Sequence, residues 1–237
     1  MIPKIDLPIY EIKLPFTKKM VKYRPFVVKE EKLLLIAAQG KDTKESTKTI
    51  LQVVNNCVLE IEGGKTKVED LPSFEIDYLF LNMRAKSIGS VIKQELVCNN
   101  LVEGGTKCGM ILEVPINVGE VTFTTEPSFK TVKLDDKLQI ALKYPKFRIY
   151  DMEKEGIEYD ILIDCVDYLF GEQEVYNIKD EPREKMIELF EGLTKETFMK
   201  LQEYYDSLPY MYIEKEIPCT KCGFVHKMRL EDPLDFF

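Results

Sequence analysis

The chain has 237 residues and a formal net charge of −8, with 45% hydrophobic and 31% charged residues, proportions of a soluble protein with a buried core rather than of a disordered chain. Its acidity argues against a general polyanion binder, because phosphate backbones are held by clustered Lys and Arg that release counterions. Apolar runs such as residues 33–38 fall far short of the roughly 20 residues a membrane span requires, and the opening MIPKIDLPIY lacks the apolar stretch of a secretory signal.

Residues 5–28 are extended in character, since Pro3, Pro8, Pro15 and Pro25 each forbid a helix interior around them. Alternation over residues 10–14 predicts an edge strand, with Thr17-Lys18-Lys19 as the turn and residues 20–23 returning, a β-hairpin. Residues 29–38 then run through Lys29-Glu30-Glu31-Lys32 into Leu33-Leu34-Leu35-Ile36-Ala37-Ala38 and stop at Gly40, which predicts a buried helix. A loop from Asp42 to Ser46 leads to a second helix, where Ile50, Leu51, Val53, Val54, Cys57 and Val58 recur at helical spacing before Gly63-Gly64. Leu71-Pro72-Ser73 opens a third, reaching about Ser87.

Strand character follows at residues 91–97 and 110–114, then in short pieces at 121–125, 129–134 and 138–142. Residues 159–169 fit strand or helix, with helix favoured before Val166. Helices are expected over 182–191 and 195–207, the second capped by Thr194 and ended by Pro209. A last strand pair, 211–217 and 225–230, flanks Cys219-Thr220-Lys221-Cys222-Gly223.

In an intracellular protein the six cysteines are not expected to be disulfides, since thiols are kept reduced there. The tetrapeptide Thr-Lys-Cys-Gly occurs twice, at residues 106–109 and 220–223, each time at the turn of an expected hairpin. A tight turn with Gly after the second Cys lets backbone N–H groups point at the sulfurs of a metal knuckle. Cys98, Cys108, Cys219 and Cys222 are therefore candidate ligands of one Zn2+ per chain, and four thiolates leave no open position for a substrate water, so the site is structural. The first half-site departs from the usual spacing, with nine residues between its cysteines where the second has two. Cys57 and Cys165 lie in apolar runs and read as small buried hydrophobes. His226, the single histidine, is more readily an exposed strand residue than a fifth candidate ligand.

One histidine and the absence of a P-loop, GxGxxG or nucleophile elbow leave no recognisable catalytic constellation, so the chain is not expected to be an enzyme. Asp160, Asp164 and Asp167 read as the solvated side of a helix before they read as a cation site. The basic stretch at 13–32 sets Lys13, Lys18, Lys19, Lys22, Arg24, Lys29 and Lys32 against only Glu30 and Glu31, and such a run is more often a solvated face than a nucleic-acid site. Tyr10, Phe16, Tyr23, Arg24 and Phe26 are candidate partner anchors, as aromatics and Arg are in interface centres, although each aromatic is more often core.

The run Leu7-Pro8-Ile9-Tyr10 with Leu14-Pro15, then Tyr23-Arg24-Pro25-Phe26-Val27-Val28-Lys29-Glu30-Glu31-Lys32-Leu33-Leu34-Leu35-Ile36-Ala37, resembles the opening of the T4-like bacteriophage baseplate protein family. Phe198, Tyr204-Tyr205, Leu208-Pro209, the Cys219-to-Gly223 turn and the closing Asp235-Phe236-Phe237 resemble that family's last helix, zinc-ribbon hairpin and tail. The resemblance implies a contractile-tail phage protein of the central baseplate hub, incorporated there or assisting its assembly around the tape-measure protein, with no catalytic residue to carry over. It places the chain in the virion tail baseplate or in the host cytoplasm during assembly. A hub assembly chaperone that leaves before maturation, and a zinc-ribbon nucleic-acid binder, are the alternatives.

The fold expected is α+β: a helical body with an N-terminal β-hairpin and a discontinuous zinc-ribbon-like β module. Residues 1–90 form the hairpin and first helices, 91–118 and 211–237 the module, and 119–210 a β-rich insertion followed by helices. A metal across the module closes a loop of more than a hundred residues between Cys108 and Cys219, which ties the fold together globally.

Overall fold

The computed structural model describes residues 5–40, 43–149, 156–178 and 181–236, so the expectations at Pro3, Asp42 and Phe237 fall outside it. Helices and sheets are mixed, an α+β arrangement, in two units. The first comprises Met1–Val68, Phe74–Phe123 and Tyr210–Phe237, and the second Glu69–Ser73 and Thr124–Pro209.

In the first unit the expected hairpin is present as β1 (Tyr10–Lys13) and β2 (Met20–Tyr23), with Tyr10 opposite Tyr23 and Lys13 opposite Met20. Its turn is held by Glu75 of the third helix, whose buried carboxylate accepts from Phe16 N–H (2.9 Å), Thr17 N–H (2.7 Å) and Thr17 Oγ1 (2.7 Å). Three donors satisfy an acceptor that burial would otherwise leave costly. A third strand, β3 (Val58–Ile61), lies along β2 in the order β1-β2-β3. The second helix is expected to run on to Gly63-Gly64. That helix, α2 (Thr43–Cys57), instead stops at Cys57 and gives way to β3, because β2 offers an open edge to the β-branched Val58 and Ile61. Beyond a register shift at Lys22/Tyr23, Arg24 N–H bonds to Cys57 O (3.0 Å) and continues the ladder.

The helix expected to be buried, α1 (Val28–Gln39), is buried along one stripe only, at Glu30, Leu34 and Ala37. Val28, Leu35 and Ile36 face outward, Ile36 being 69% exposed. At 3.6 residues per turn a four-residue apolar run spans more than one face, so α2 packed on one side covers part of it. The preceding Arg24-Pro25-Phe26 is explained by Glu30. Arg24 donates to Glu30 Oε1, Pro25 O and Asn56 O, each at 3.0 Å, and Val27 N–H bonds Glu30 Oε2 at 3.0 Å as the helix cap. Burial raises the Glu30 pKa, but hydrogen bonds from Arg24, the Val27 amide and Lys29 outweigh it and hold the carboxyl below its ordinary value.

The third helix, α3 (Ser73–Ile88), precedes β4 (Val91–Val97) and β5 (Ile111–Asn117), an antiparallel ribbon. Burial alternates along β5, with Leu112, Val114 and Ile116 inward and Ile111, Glu113 and Pro115 outward. A three-stranded sheet is formed by β6 (Thr122–Phe123), β11 (Met211–Pro218) and β12 (Val225–Leu230) in the order β12-β11-β6. Between these layers Leu81, Ile92, Leu112, Ile116, Met211, Ile213 and Phe236 form one core with Cys98, Cys108 and Cys219. The C-terminal turn is tied to it by Gln94 Nε2, which donates to Asp235 O at 2.7 Å.

Among its described residues the second unit contains a four-stranded sheet and three helices. The strands expected at 121–125, 129–134 and 138–142 shorten to β6, β7 (Thr131–Lys133) and β8 (Gln139–Leu142). The ambiguous run divides at Cys165 into α4 (Ile157–Asp164) and β9 (Val166–Phe170), with helix before Val166. The two-residue β10 (Val175–Tyr176) was not foreseen. Helices α5 (Arg183–Glu191) and α6 (Lys195–Asp206) stand where expected, with Thr194 Oγ1 accepting from Thr197 N–H (3.2 Å). Ile140, Leu162, Val166, Phe190, Leu201 and Tyr204 are among the buried residues of this unit's core.

Candidate metal centre

Both half-sites sit where two hairpin strands meet, and their backbones close in the same way. Cys98 N–H bonds Met110 O (2.8 Å) and Gly109 N–H bonds Cys98 O (2.9 Å); correspondingly, Cys219 N–H bonds Phe224 O (2.8 Å) and Gly223 N–H bonds Cys219 O (2.9 Å). Gly109 and Gly223 hold φ of 65° and 72°, the left-handed region that glycine enters without a Cβ penalty. The nine residues after Cys98 are therefore a true insertion at the tip of a turn that is otherwise the two-residue turn of the other half-site. The inserted loop closes on itself through a Leu101 to Lys107 bridge and a bond from Val102 N–H to Thr106 O (2.9 Å).

The four sulfurs of Cys98, Cys108, Cys219 and Cys222 lie within 4.8 Å of one another, the one group of three or more candidate ligands among the described residues. Cys98 Sγ is 3.6 Å from Cys222 Sγ, and Cys108 Sγ is 3.8 Å from Cys219 Sγ. A tetrahedron with metal–sulfur bonds of about 2.3 Å has edges of about 3.8 Å. All four are free thiols, three buried and Cys222 half-buried. The two short pairs exchange under an interchange of half-sites, Cys98 with Cys219 and Cys108 with Cys222, which gives the cluster an approximate two-fold form.

The surroundings suit anionic sulfur. The Asn100 amide faces Cys98 and the Phe224 amide faces Cys222, Asn100 Nδ2 donates to Cys222 Sγ at 3.6 Å, and Lys221 Nζ reaches Cys108 O at 2.9 Å. With thiols alone the set is divided. The Phe224 N–H holds Cys222 below the ordinary thiol value, whereas burial pushes Cys98 above it. Four soft donors at tetrahedral spacing, three of them buried and met by N–H groups, fit a tetrahedral thiolate-binding cation.

The other candidates lie elsewhere. His226 pairs with Ile217 on β12 and meets the Phe224 ring edge-on at 4.8 Å, outside the sulfur group. Burial pushes the Cys57 thiol up to about 11 and the Cys165 thiol up to about 12, as expected of small buried side chains. The aspartates are neither a solvated helix side nor a cation site. Asp160 is buried against Arg183 (2.5 Å), Asp164 meets Arg183 (3.3 Å) and Arg148 (3.0 Å), and Asp167 meets Lys143 (3.6 Å). Of the candidate anchors, Tyr23 and Phe26 are buried in the core and present no surface. Tyr10, Phe16 and Arg24 are half-buried: Tyr10 beside Tyr23 (5.8 Å), Phe16 edge-on to Phe74 and Phe123 (both 5.1 Å), and Arg24 on Glu30. The basic N-terminal stretch is not a continuous cationic face, since Lys22 pairs with Glu60 (2.9 Å) and Lys29 with Glu30 (3.3 Å).

Asn100 and Lys221 were not singled out by spacing. The signal was available: Asn100 stands two residues after a ligand, where a knuckle amide points at sulfur, and Lys221 lies inside the repeated tetrapeptide.

Fold and site together define a mixed helix-and-sheet protein whose first unit holds a four-cysteine cluster. The chain belongs to the T4 bacteriophage base plate protein family, whose model matches residues 7–237. Its role is thus a structural or assembly role in a phage baseplate, in association with other baseplate proteins at the virion tail. Comparisons with curated proteins and with solved structures each found no match. Among the described residues no helix is long and apolar enough to cross a membrane.

Proposed function

We propose that this chain is a non-enzymatic component or assembly factor of the central baseplate hub, its first unit held in shape by one structural Zn2+ on Cys98, Cys108, Cys219 and Cys222. The metal reading is carried by the sulfur geometry, two half-sites far apart in sequence meeting at the edge length of a tetrahedral thiolate complex. In a zinc-ribbon-like module of this kind the ion supplies folding free energy, and the protein supplies thiolates, N–H donors and exclusion of water. The baseplate part of this reading is supported by the family match over residues 7–237, and the hub within it rests on the resemblance of the two ends of the chain described above. Nucleic-acid binding is disfavoured by the acid partners of the N-terminal cations.

Elemental analysis of purified protein should return about one zinc per chain; metal-free, fully folded protein would overturn the metal reading. Tagged protein expressed during infection should recover hub or tape-measure proteins. Recovery of other baseplate proteins alone counts against the hub. Presence in tail intermediates but not in purified virions would identify the assembly-chaperone form.

A further inference from the structure

The two half-sites share their backbone bonding and differ in the loop between their cysteines. Asn100, at the start of the inserted loop, meets three of the four cysteines. Its amide faces Cys98, its carbonyl accepts from Cys108 N–H at 2.8 Å, and its Nδ2 donates to Cys222 Sγ at 3.6 Å. The last bond crosses from one half-site to the other. The second half-site reaches across only to a carbonyl, Lys221 Nζ on Cys108 O at 2.9 Å, and not to a sulfur. Cys222 is also the one residue of the four that is only half-buried, and so the least enclosed corner of the cluster.

We propose that Asn100 is a positioning residue of the metal centre, whose side-chain amide holds and shields the Cys222 sulfur, so that the inserted loop acts as a latch against metal loss. This rests on the metal reading given under the proposed function. An N–H donor lowers the energy of a thiolate lone pair and reduces its exchange with water, and outer-shell partners of this kind change metal affinity by about 10- to 100-fold. The loop is built to present the side chain: the Leu101 to Lys107 bridge closes it behind Asn100, and the Gly104-Gly105 turn returns the chain to Cys108.

The test uses the full chain loaded with zinc or, for spectroscopy, with Co2+, comparing Asn100→Ala, Asn100→Asp and Asn100→Ser. Zinc transfer to excess chelator should be roughly tenfold faster in Asn100→Ala, faster still in Asn100→Asp, whose carboxylate repels the sulfur, and partly restored in Asn100→Ser, which keeps a donor. The thiolate-to-cobalt charge-transfer band should move to lower energy in Asn100→Ala and Asn100→Asp, with circular dichroism unchanged. Loss of zinc from Asn100→Asp alongside full zinc in Asn100→Ser also supports the latch. Transfer rates within about twofold of the parent chain, with unmoved bands, overturn it while leaving the metal reading intact. If the parent chain takes up neither metal, the metal reading has failed and the latch with it.

Discussion

The half-site at Cys98 and Cys108 and the half-site at Cys219 and Cys222 place two sulfurs with the same four backbone groups, yet one uses nine intervening residues and the other two. What a knuckle requires is therefore the bonding around the first cysteine and the left-handed glycine after the second. Spacing is secondary. The flanking strands already bring the chain back to the same place, so added residues are extruded at the tip and cost only loop-closure entropy, which grows slowly with length. The longer loop adds a side-chain donor to a sulfur across the cluster, Asn100 on Cys222, where the shorter one reaches across only to a carbonyl, Lys221 on Cys108 O.

The comparison breaks most visibly at the cysteines. Cys108→Ser and Cys222→Ser occupy equivalent corners, and each should release the metal and destabilise the first unit by about 3 kcal/mol or more, read by elemental analysis and thermal unfolding. Full retention of zinc by one of them would end the equivalence. A smaller effect separates backbone from metal. Gly109→Ala and Gly223→Ala should each cost about 1–2 kcal/mol through the positive φ alone. A Cβ at Gly223 meets nothing within 4 Å, and at Gly109 only Lys107 O at 3.9 Å. Matched shifts in denaturation midpoint sharpen the comparison; a twist confined to one half-site contradicts it.

Replacing residues 99–107 by Thr-Lys, the intervening pair of the other half-site, is a milder test. The shorter loop gains about 1 kcal/mol in closure entropy, offset by loss of the Asn100 bonds, so stability should change little and stoichiometric zinc should remain. Failure to bind would show that the insertion sets the geometry rather than decorating it. Smallest of all, Lys221→Ala removes one exposed cation from Cys108 O and should cost about 0.5 kcal/mol, less at high salt. A larger loss, measured by titrating salt during denaturation, would make Lys221 a main counter-charge of the cluster.

The pairing of the four cysteines was legible because the tetrapeptide repeats at two hairpin turns. That residues 99–107 are an insertion between converging strands was legible too; the matching ladder bonds from Cys98 and Cys219 were not, since sequence spacing counts residues and carries no bonding. Long periodic helices such as α5 and α6 were legible, Thr194 capping included. What escaped were features decided by neighbours: β3 follows from an open edge on β2, β10 is two residues long, and the outward Val28, Leu35 and Ile36 follow from α2 covering one side of α1. The two aspartates of α4 do not form a solvated side because their partners, Arg148 and Arg183, come from other segments.

One pairing bears on how such a chain changes over time. Phe123 of β6 lies opposite Met211 of β11, and Thr122 opposite Tyr212, so the chain leaves the first unit and returns to it at neighbouring rungs of one ladder. Apart from Glu69–Ser73, the second unit is a single excursion between those rungs. Its length and content can drift, by insertion or deletion, without shifting the register that brings Cys219 and Cys222 to Cys98 and Cys108.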